Sequence, residues 1–258
     1  MIELTFWGVR GTIPTPVAEN IGYGGNTACI SIRCGDQPLV ILDAGTGIRA
    51  LGNTLTDDEP SRLFLTHFHW DHIQGIPSFA PILNATIYSS ADPTELERIL
   101  AAQMRPPYYP VPMPANLNYR KITEESVADL VVRPFALHHP NGATGYRIES
   151  SNASIVYASD HEHGNATADR TLRDHARDAD ILIYDAQYTP EEYEHRRGWG
   201  HSTWREAVKL AKETGVRQLI LFHHDPSRTD VQVEAIVREA HREFPDTIAA
   251  REGWSTSL

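Results

Sequence analysis

Leu63-Phe64-Leu65-Thr66-His67-Phe68-His69-Trp70-Asp71-His72-Ile73-Gln74-Gly75 is the stretch from which the rest of this chain is best read. Its apolar start closes a run, Arg62–Thr66, that suits a buried strand. Four potential metal ligands follow within six residues: His67, His69, Asp71 and His72. In an extended backbone, side chains two apart fall on one side, so His67 and His69 present two imidazoles together. A tight turn into a helix then offers Asp71 and His72 to a neighbouring point. That arrangement suits two adjacent cations better than one. The plain alternative is a histidine-rich surface loop. Three histidines and a carboxylate directly after a buried strand disfavour it.

Other ligand types recur at the same kind of place. His138 and His139 follow the strand expected at Leu130–Leu137, Asp160 follows Ser154–Ala158, and His223 and His224 follow Gln218–Phe222. Strand ends in layered folds share a rim, and loops on that rim carry function. Any one of these histidines alone reads as a structural residue. Together they supply the ligands of a dinuclear site, and Asp160 can bridge two cations through its two oxygens. Further strands are expected at Ile2–Trp7, Ala28–Arg33, Leu39–Leu42, Thr86–Tyr88, Gly145–Glu149, Ile181–Tyr184 and Thr247–Ala250. Helices are expected from Pro93 to Gln103 behind an Asp92 cap, from Thr203 to before Gly215, and from Thr229 to about Phe244. Met104–Asn116, with five prolines, is expected to be a loop near the site. No repeat or linker divides the chain, so a single α/β domain over 1–258 is expected, with sheets covered by helices.

The 258 residues carry 23 Lys+Arg against 34 Asp+Glu, a formal net charge of −11. Such a chain has no excess of cations with which to grip phosphates, and this argues against long nucleic acid as a partner. No apolar run reaches membrane-spanning length. The N-terminus reads as a strand, not a signal peptide. Cys29 and Cys34 are the only two cysteines and lie beside one strand, so a reduced cytoplasmic protein is expected. Thirteen histidines with so few thiols favour zinc, iron or manganese over iron–sulfur clusters.

H-x-H-x-D-H after a strand resembles the metallo-β-lactamase superfamily. Nearly the whole chain is similar to its ribonuclease Z-like branch, which includes cyclic-nucleotide phosphodiesterases. F-W-G-V-R-G-T-I-P with G-G-N-T-A-C looks like the opening of that branch, and I-L-D-A-G-T-G its second segment, with Asp43 structural. H-H-P-N-G-A-T-G-Y-R-I resembles the third and selects His139. Y-A-S-D ends in Asp160, L-I-L-F-H-H-D selects His223 over His224, and G-H-S-T resembles the motif whose histidine, here His201, acts in catalysis.

The resemblance implies a four-layer αββα sandwich, two mixed β-sheets flanked by helices. It also implies His67, His69 and His139 on one divalent metal and Asp71, His72 and His223 on the other, with Asp160 and a hydroxide bridging them. Zinc is the first expectation, with manganese or iron as alternatives. Asp71 would orient the hydroxide, and His201 would protonate the leaving oxygen. Arg10 and Asn26 are candidates for phosphate contact. Tyr188, Trp199, Tyr108 and Tyr109 are candidates for stacking on a base. Ribonuclease Z grips transfer RNA with an arm between the third and fourth metal segments. Here only a strand–turn–strand separates His139 from Asp160. A small phosphodiester, a cyclic nucleotide above all, is therefore the expected substrate, with no long nucleic acid, no membrane and a homodimer. Two alternatives are kept: a same-fold hydrolase of a thioester or lactam, and a non-catalytic metal- or nucleotide-binding protein. Whether His138, His161, His163 or His224 join the site is left open.

Overall fold

A computed structural model describes residues 1–56, 58–115 and 117–258. In chain order the strands begin with β1 (Ile2–Gly8), β2 (Cys29–Cys34), β3 (Leu39–Leu42), β4 (Ser61–Phe64), β5 (Ala85–Ser89), β6 (Asn118–Lys121) and β7 (Glu125–Val127). They continue with β8 (Leu130–Leu137), β9 (Ala143–Glu149), β10 (Ser154–Ala158), β11 (Ile181–Asp185), β12 (Gln218–Phe222), β13 (Thr247–Ala249) and β14 (Ser255–Ser257). The helices are α1 (Ile48–Gly52), α2 (Trp70–Ile73), α3 (Pro93–Gln103), α4 (Ala166–Ala176), α5 (Pro190–Tyr193), α6 (Trp204–Thr214) and α7 (Asp230–Glu243).

Alternation along the strands dictates the layering. In β11, Ile181 and Ile183 face one core while Leu182 and Tyr184 face another. One sheet runs β14-β1-β2-β3-β4-β5-β6 and the other β13-β12-β11-β10-β9-β8-β7. Leu4, Phe6, Ile30, Tyr146, Ile183 and Phe222 fill the space between them. Outside the first sheet, Ile41, Leu63 and Ile87 pack with Leu51 of α1, Ile73 of α2 and Leu96 of α3. Outside the second, Val156, Leu182 and Leu221 pack with Leu172 of α4, Val208 of α6 and Ala240 of α7. This is the expected αββα sandwich. Truncating a buried ring such as Phe222 to alanine would remove roughly 3–5 kcal/mol of stability.

The strand directions position the site. β3 to β6 run parallel to one another, and so do β10 to β13. Parallel neighbours finish on the same edge, so residues just beyond β3, β4, β10, β11 and β12 collect on a rim. Asp43 and His223, directly after their strands, and Asp160, two residues after β10, all have φ of 60°, in the left-handed region.

Three strands and the helices α1, α4 and α5 go beyond the sequence expectation. β6, β7 and β14 are short and largely polar edge or near-edge strands. Helix α4 is largely polar and buries Leu172 and Ala176, with Asn165 accepting the amides of Thr167 and Ala168 as its cap. Asp92 makes no side-chain cap for α3 and instead pairs with Lys121. Residues 104–115 carry no helix or strand, and Asn116 lies outside the described residues. Both cysteines are free thiols, and among the described residues no helix is long and apolar enough to cross a membrane.

Candidate metal centre

The rim brings two groups of donors together. His67, His69 and His139 form an outer trio, and Asp71, His72, Asp160 and His223 an inner quartet; within each group the donor atoms lie within 4.8 Å of one another. Asp160 faces both groups. Its Oδ1 is 3.8 Å from His67 Nε2 and 3.6 Å from His139 Nε2, while its Oδ2 is 3.0 Å from His72 Nε2 and 3.4 Å from His223 Nε2. A single carboxylate thus spans both groups, one oxygen to each.

A second layer of partners aims the imidazoles. His72 Nδ1 lies 2.8 Å from Asp43 Oδ2, His139 Nδ1 donates to Gly200 O at 2.7 Å, and His223 Nδ1 donates to Gln187 Oε1 at 2.9 Å. Each ring then turns its other nitrogen toward the cluster, the usual way a protein orients imidazole ligands. Asp43 also accepts the Thr66 amide and the Tyr157 hydroxyl, both at 2.8 Å, which ties the two sheets together beneath the site. The segment after β1 closes over the quartet. The Thr12 amide donates to Asp71 Oδ2 at 2.7 Å, and a Cβ on Gly11 would stand 2.4 Å from the His223 ring, so only glycine admits that approach.

Burial and charge treat the two groups differently. Burial holds His67 well below the ordinary imidazole pKa, with neighbouring histidines adding to the effect, and it lowers His69 and His139 too. Burial also opposes charge on His72 and His223, but the surrounding carboxylates outweigh it. Asp160, Asp43 and Asp71 raise His72 well above the usual value. Asp160, Asp71 and Asp185 raise His223 to about 9. Burial opposes ionisation of Asp71 and Asp160, yet His72 and His223 keep both far below the usual carboxylate range.

These residues fit divalent cations. His67 Nε2 is buried and lacks a hydrogen-bond partner. The facing nitrogens His69 Nδ1 and His139 Nε2 are 3.0 Å apart, and those of His72 and His223 are 3.3 Å apart. Imidazole and carboxylate donors converging without thiols suit zinc, manganese or iron. A third group adds His201 and Asp185 to Asp160 and His223. His201 Nδ1 lies 2.8 Å from Asp185 Oδ2, so its Nε2 remains for another partner.

The structure therefore gathers His67, His69, Asp71, His72, His139, Asp160, His223 and His201 at one place. The histidines left open turn elsewhere. His138 faces the Glu162 carbonyl, His161 pairs with Asp169, His163 meets Ser202, and His224 donates to Ala250 O. Three substrate candidates are engaged within the fold. Arg10 is fully buried, and its guanidinium donates to the carbonyls of Gly24, Asp225 and Arg228, so it fastens loops and offers nothing to a phosphate. The Asn26 amide nitrogen is held by Glu252 at 3.0 Å. Tyr188 is 1% exposed, with its ring against His201 and Arg196, and has no free face for a base. Tyr109 is anchored through its hydroxyl to Pro77 O, whereas Tyr108 and Trp199 stand in solvent. Asp185, Gln187 and Glu162 were not anticipated. For Asp185 a usable signal existed, a potential ligand at the end of an apolar strand, as with Asp160 and His223.

The model of the beta-lactamase superfamily domain matches residues 39–224. Ribonuclease Z of Thermoplasma acidophilum is 23% identical over 303 aligned positions, covering 97% of this chain and 94% of that protein. The metallo-beta-lactamase fold protein YhfI from Bacillus subtilis superposes with a TM-score of 0.77 at 19% identity, covering 99% of this chain and 98% of its own. The short form of human tRNase Z superposes with a TM-score of 0.70 at 19% identity, with 99% of each chain covered. A ribonuclease matched along nearly its whole length overturns the expectation of a small substrate and no long nucleic acid. Net charge averages over the whole surface and does not describe the surface at the site. The alignment of 303 positions covers 97% of 258 residues, so about 50 positions of it face gaps in this chain.

Proposed function

We propose that this chain, which belongs to the beta-lactamase superfamily, is a metal-dependent phosphodiesterase acting on ribonucleotide phosphodiester bonds. The observation that carries this reading is Asp160, with one oxygen toward His67 and His139 and the other toward His72 and His223. His67, His69 and His139 would hold one divalent ion, and Asp71, His72 and His223 the other, with Asp160 shared. Zinc is the first candidate. Bound there, such ions supply an ionised water at neutral pH and neutralise charge on the phosphoryl oxygens.

The remaining steps belong to the chain's own groups. Asp71, held by the Thr12 amide, keeps an oxygen beside His223 and His72 and orients the attacking water. Asp185 holds His201 through Nδ1, which leaves Nε2 as the proton donor to the leaving oxygen. The fixed Nδ1 contacts of His72, His139 and His223 keep the donors in place as charge develops.

The ribonuclease relatives make RNA one substrate class. Cyclic nucleotides are a second reading, favoured by the roughly 50 alignment positions this chain lacks. The test is a panel of an unprocessed transfer RNA, cyclic nucleotides and bis(p-nitrophenyl) phosphate with zinc or manganese. Turnover of at least one, abolished by chelator, is expected. Thioester or lactam turnover exceeding all phosphodiester turnover would sink the reading.

A further inference from the structure

Trp199 is 62% exposed, yet the backbone on both sides of it is gripped from inside the protein. Glu162, 5% exposed, accepts the Gly198 amide at 2.6 Å, the Gly200 amide at 2.8 Å and the Tyr193 hydroxyl at 3.0 Å. Gly198 and Gly200 have φ of 83° and 90°, so the loop turns sharply on either side of the indole. Gly200 also holds the outer trio, since its carbonyl accepts His139 Nδ1, and a Cβ there would come 2.3 Å from that ring. Glu162 is itself tied to the trio's strand end, donating its amide to His138 O at 2.7 Å.

An exposed indole alone needs no explanation. A carboxylate drawn out of water to clamp both amides beside that indole does, because a buried ion is unfavourable unless its lone pairs are met. Three donors meet them here. The clamp fixes the backbone on both sides of the indole. The neighbouring cations are already engaged. Arg196 pairs with Asp225 and lies over the Tyr188 ring, and Arg197 pairs with Glu194. What the lip presents is an exposed π surface two residues along the chain from His201 and next to Gly200, which orients His139.

We propose that Trp199 is a stacking platform for a nucleobase of the substrate, held in place by Glu162. This rests on the phosphodiesterase reading and narrows it to substrates that carry a base close to the scissile phosphate. Base–aromatic stacking of this kind changes affinity by about tenfold or more.

The test uses the zinc-loaded full chain and compares binding of adenosine 5′-monophosphate with ribose 5-phosphate, by calorimetry and by quenching of indole fluorescence. The expected result is a preference for the nucleotide of about tenfold or more, lost in Trp199→Ala and largely kept in Trp199→Phe. Glu162→Gln, which presents an amide NH2 where the loop needs acceptors, should weaken the preference while far-UV circular dichroism stays unchanged. A wild-type chain indifferent to the base, or a Trp199→Ala variant that keeps the preference, would overturn the proposal. So would a Trp199→Ala variant that changes sedimentation but not the preference, since the indole would then serve a protein interface. Absence of phosphodiester turnover with the base preference intact would instead count against the catalytic reading alone.

Discussion

The outer trio and the inner quartet use the same imidazole chemistry in opposite electrostatic settings. Around His67, His69 and His139 burial dominates, and all three have lowered pKa values. Around His72 and His223 the carboxylates of Asp71, Asp160, Asp43 and Asp185 dominate, and both are raised. His69 is half-buried, while every member of the quartet is buried. The difference shows that the ratio of carboxylate to imidazole, more than ligand type, sets how each position competes with protons. It also separates the two in access: the outer position is the more open, and the inner one is enclosed and charge-rich.

Removing what the two positions share tests the comparison most severely. Asp160→Ala should deplete both, cutting bound metal from about two equivalents to less than one and activity by more than the roughly 10²–10⁴-fold expected of a lost general acid. Elemental analysis with kcat/KM on bis(p-nitrophenyl) phosphate measures both. Retention of one full position would show that the groups are independent.

Next in size is His201→Ala, with kcat lower by roughly 10²–10⁴-fold and metal content unchanged. A fall in metal content would move His201 from proton transfer to ligation. Asp43→Asn should weaken the inner position most, by about 10–100-fold in chelator competition, because it touches His72 directly and reaches His67 only through the Thr66 hydroxyl.

The smallest effect is acidification, about tenfold per pH unit for each proton displaced. His223, raised to about 9, carries a proton that an inner-site cation must displace, so inner-site affinity should fall as pH drops below 9. The outer trio, with lowered pKa values, should load almost independently of pH above about 6.5. In chelator-stripped protein the same raised pKa stabilises the fold below the unfolded value of about 6.5 and ceases to do so as pH rises through 9. Thermal melts should therefore be lower at pH 9.5 than at pH 6.5, and zinc should reverse that order.

What could be read from the sequence follows from where apolar alternation is strong. Leu39–Leu42, Leu130–Leu137, Ser154–Ala158 and Gln218–Phe222 match β3, β8, β10 and β12 to the residue, because apolar runs bounded by turn residues leave little choice of register. Edge strands such as Asn118–Lys121 carry no such pattern, since one side meets solvent and polar residues suffice. At the site, the liganding types stand at strand ends and are visible as such. The partners that aim them are not, because Asp43 to Tyr157, and Glu162 to Gly198, are contacts across the fold that no local spacing encodes. The partners of Arg10 were hidden for the same reason, because only the packing reveals the carbonyls it serves.

Asp43, Asp160 and His223 share a backbone shape that non-glycine residues rarely adopt. Each such residue forgoes on the order of 1 kcal/mol relative to a relaxed conformation. Glycine at any of the three would ease that strain while deleting a metal-directed or metal-orienting group. Selection for heat resistance alone would thus drift toward an inert, tougher protein, and a library screened only for melting temperature should be checked first at these three codons.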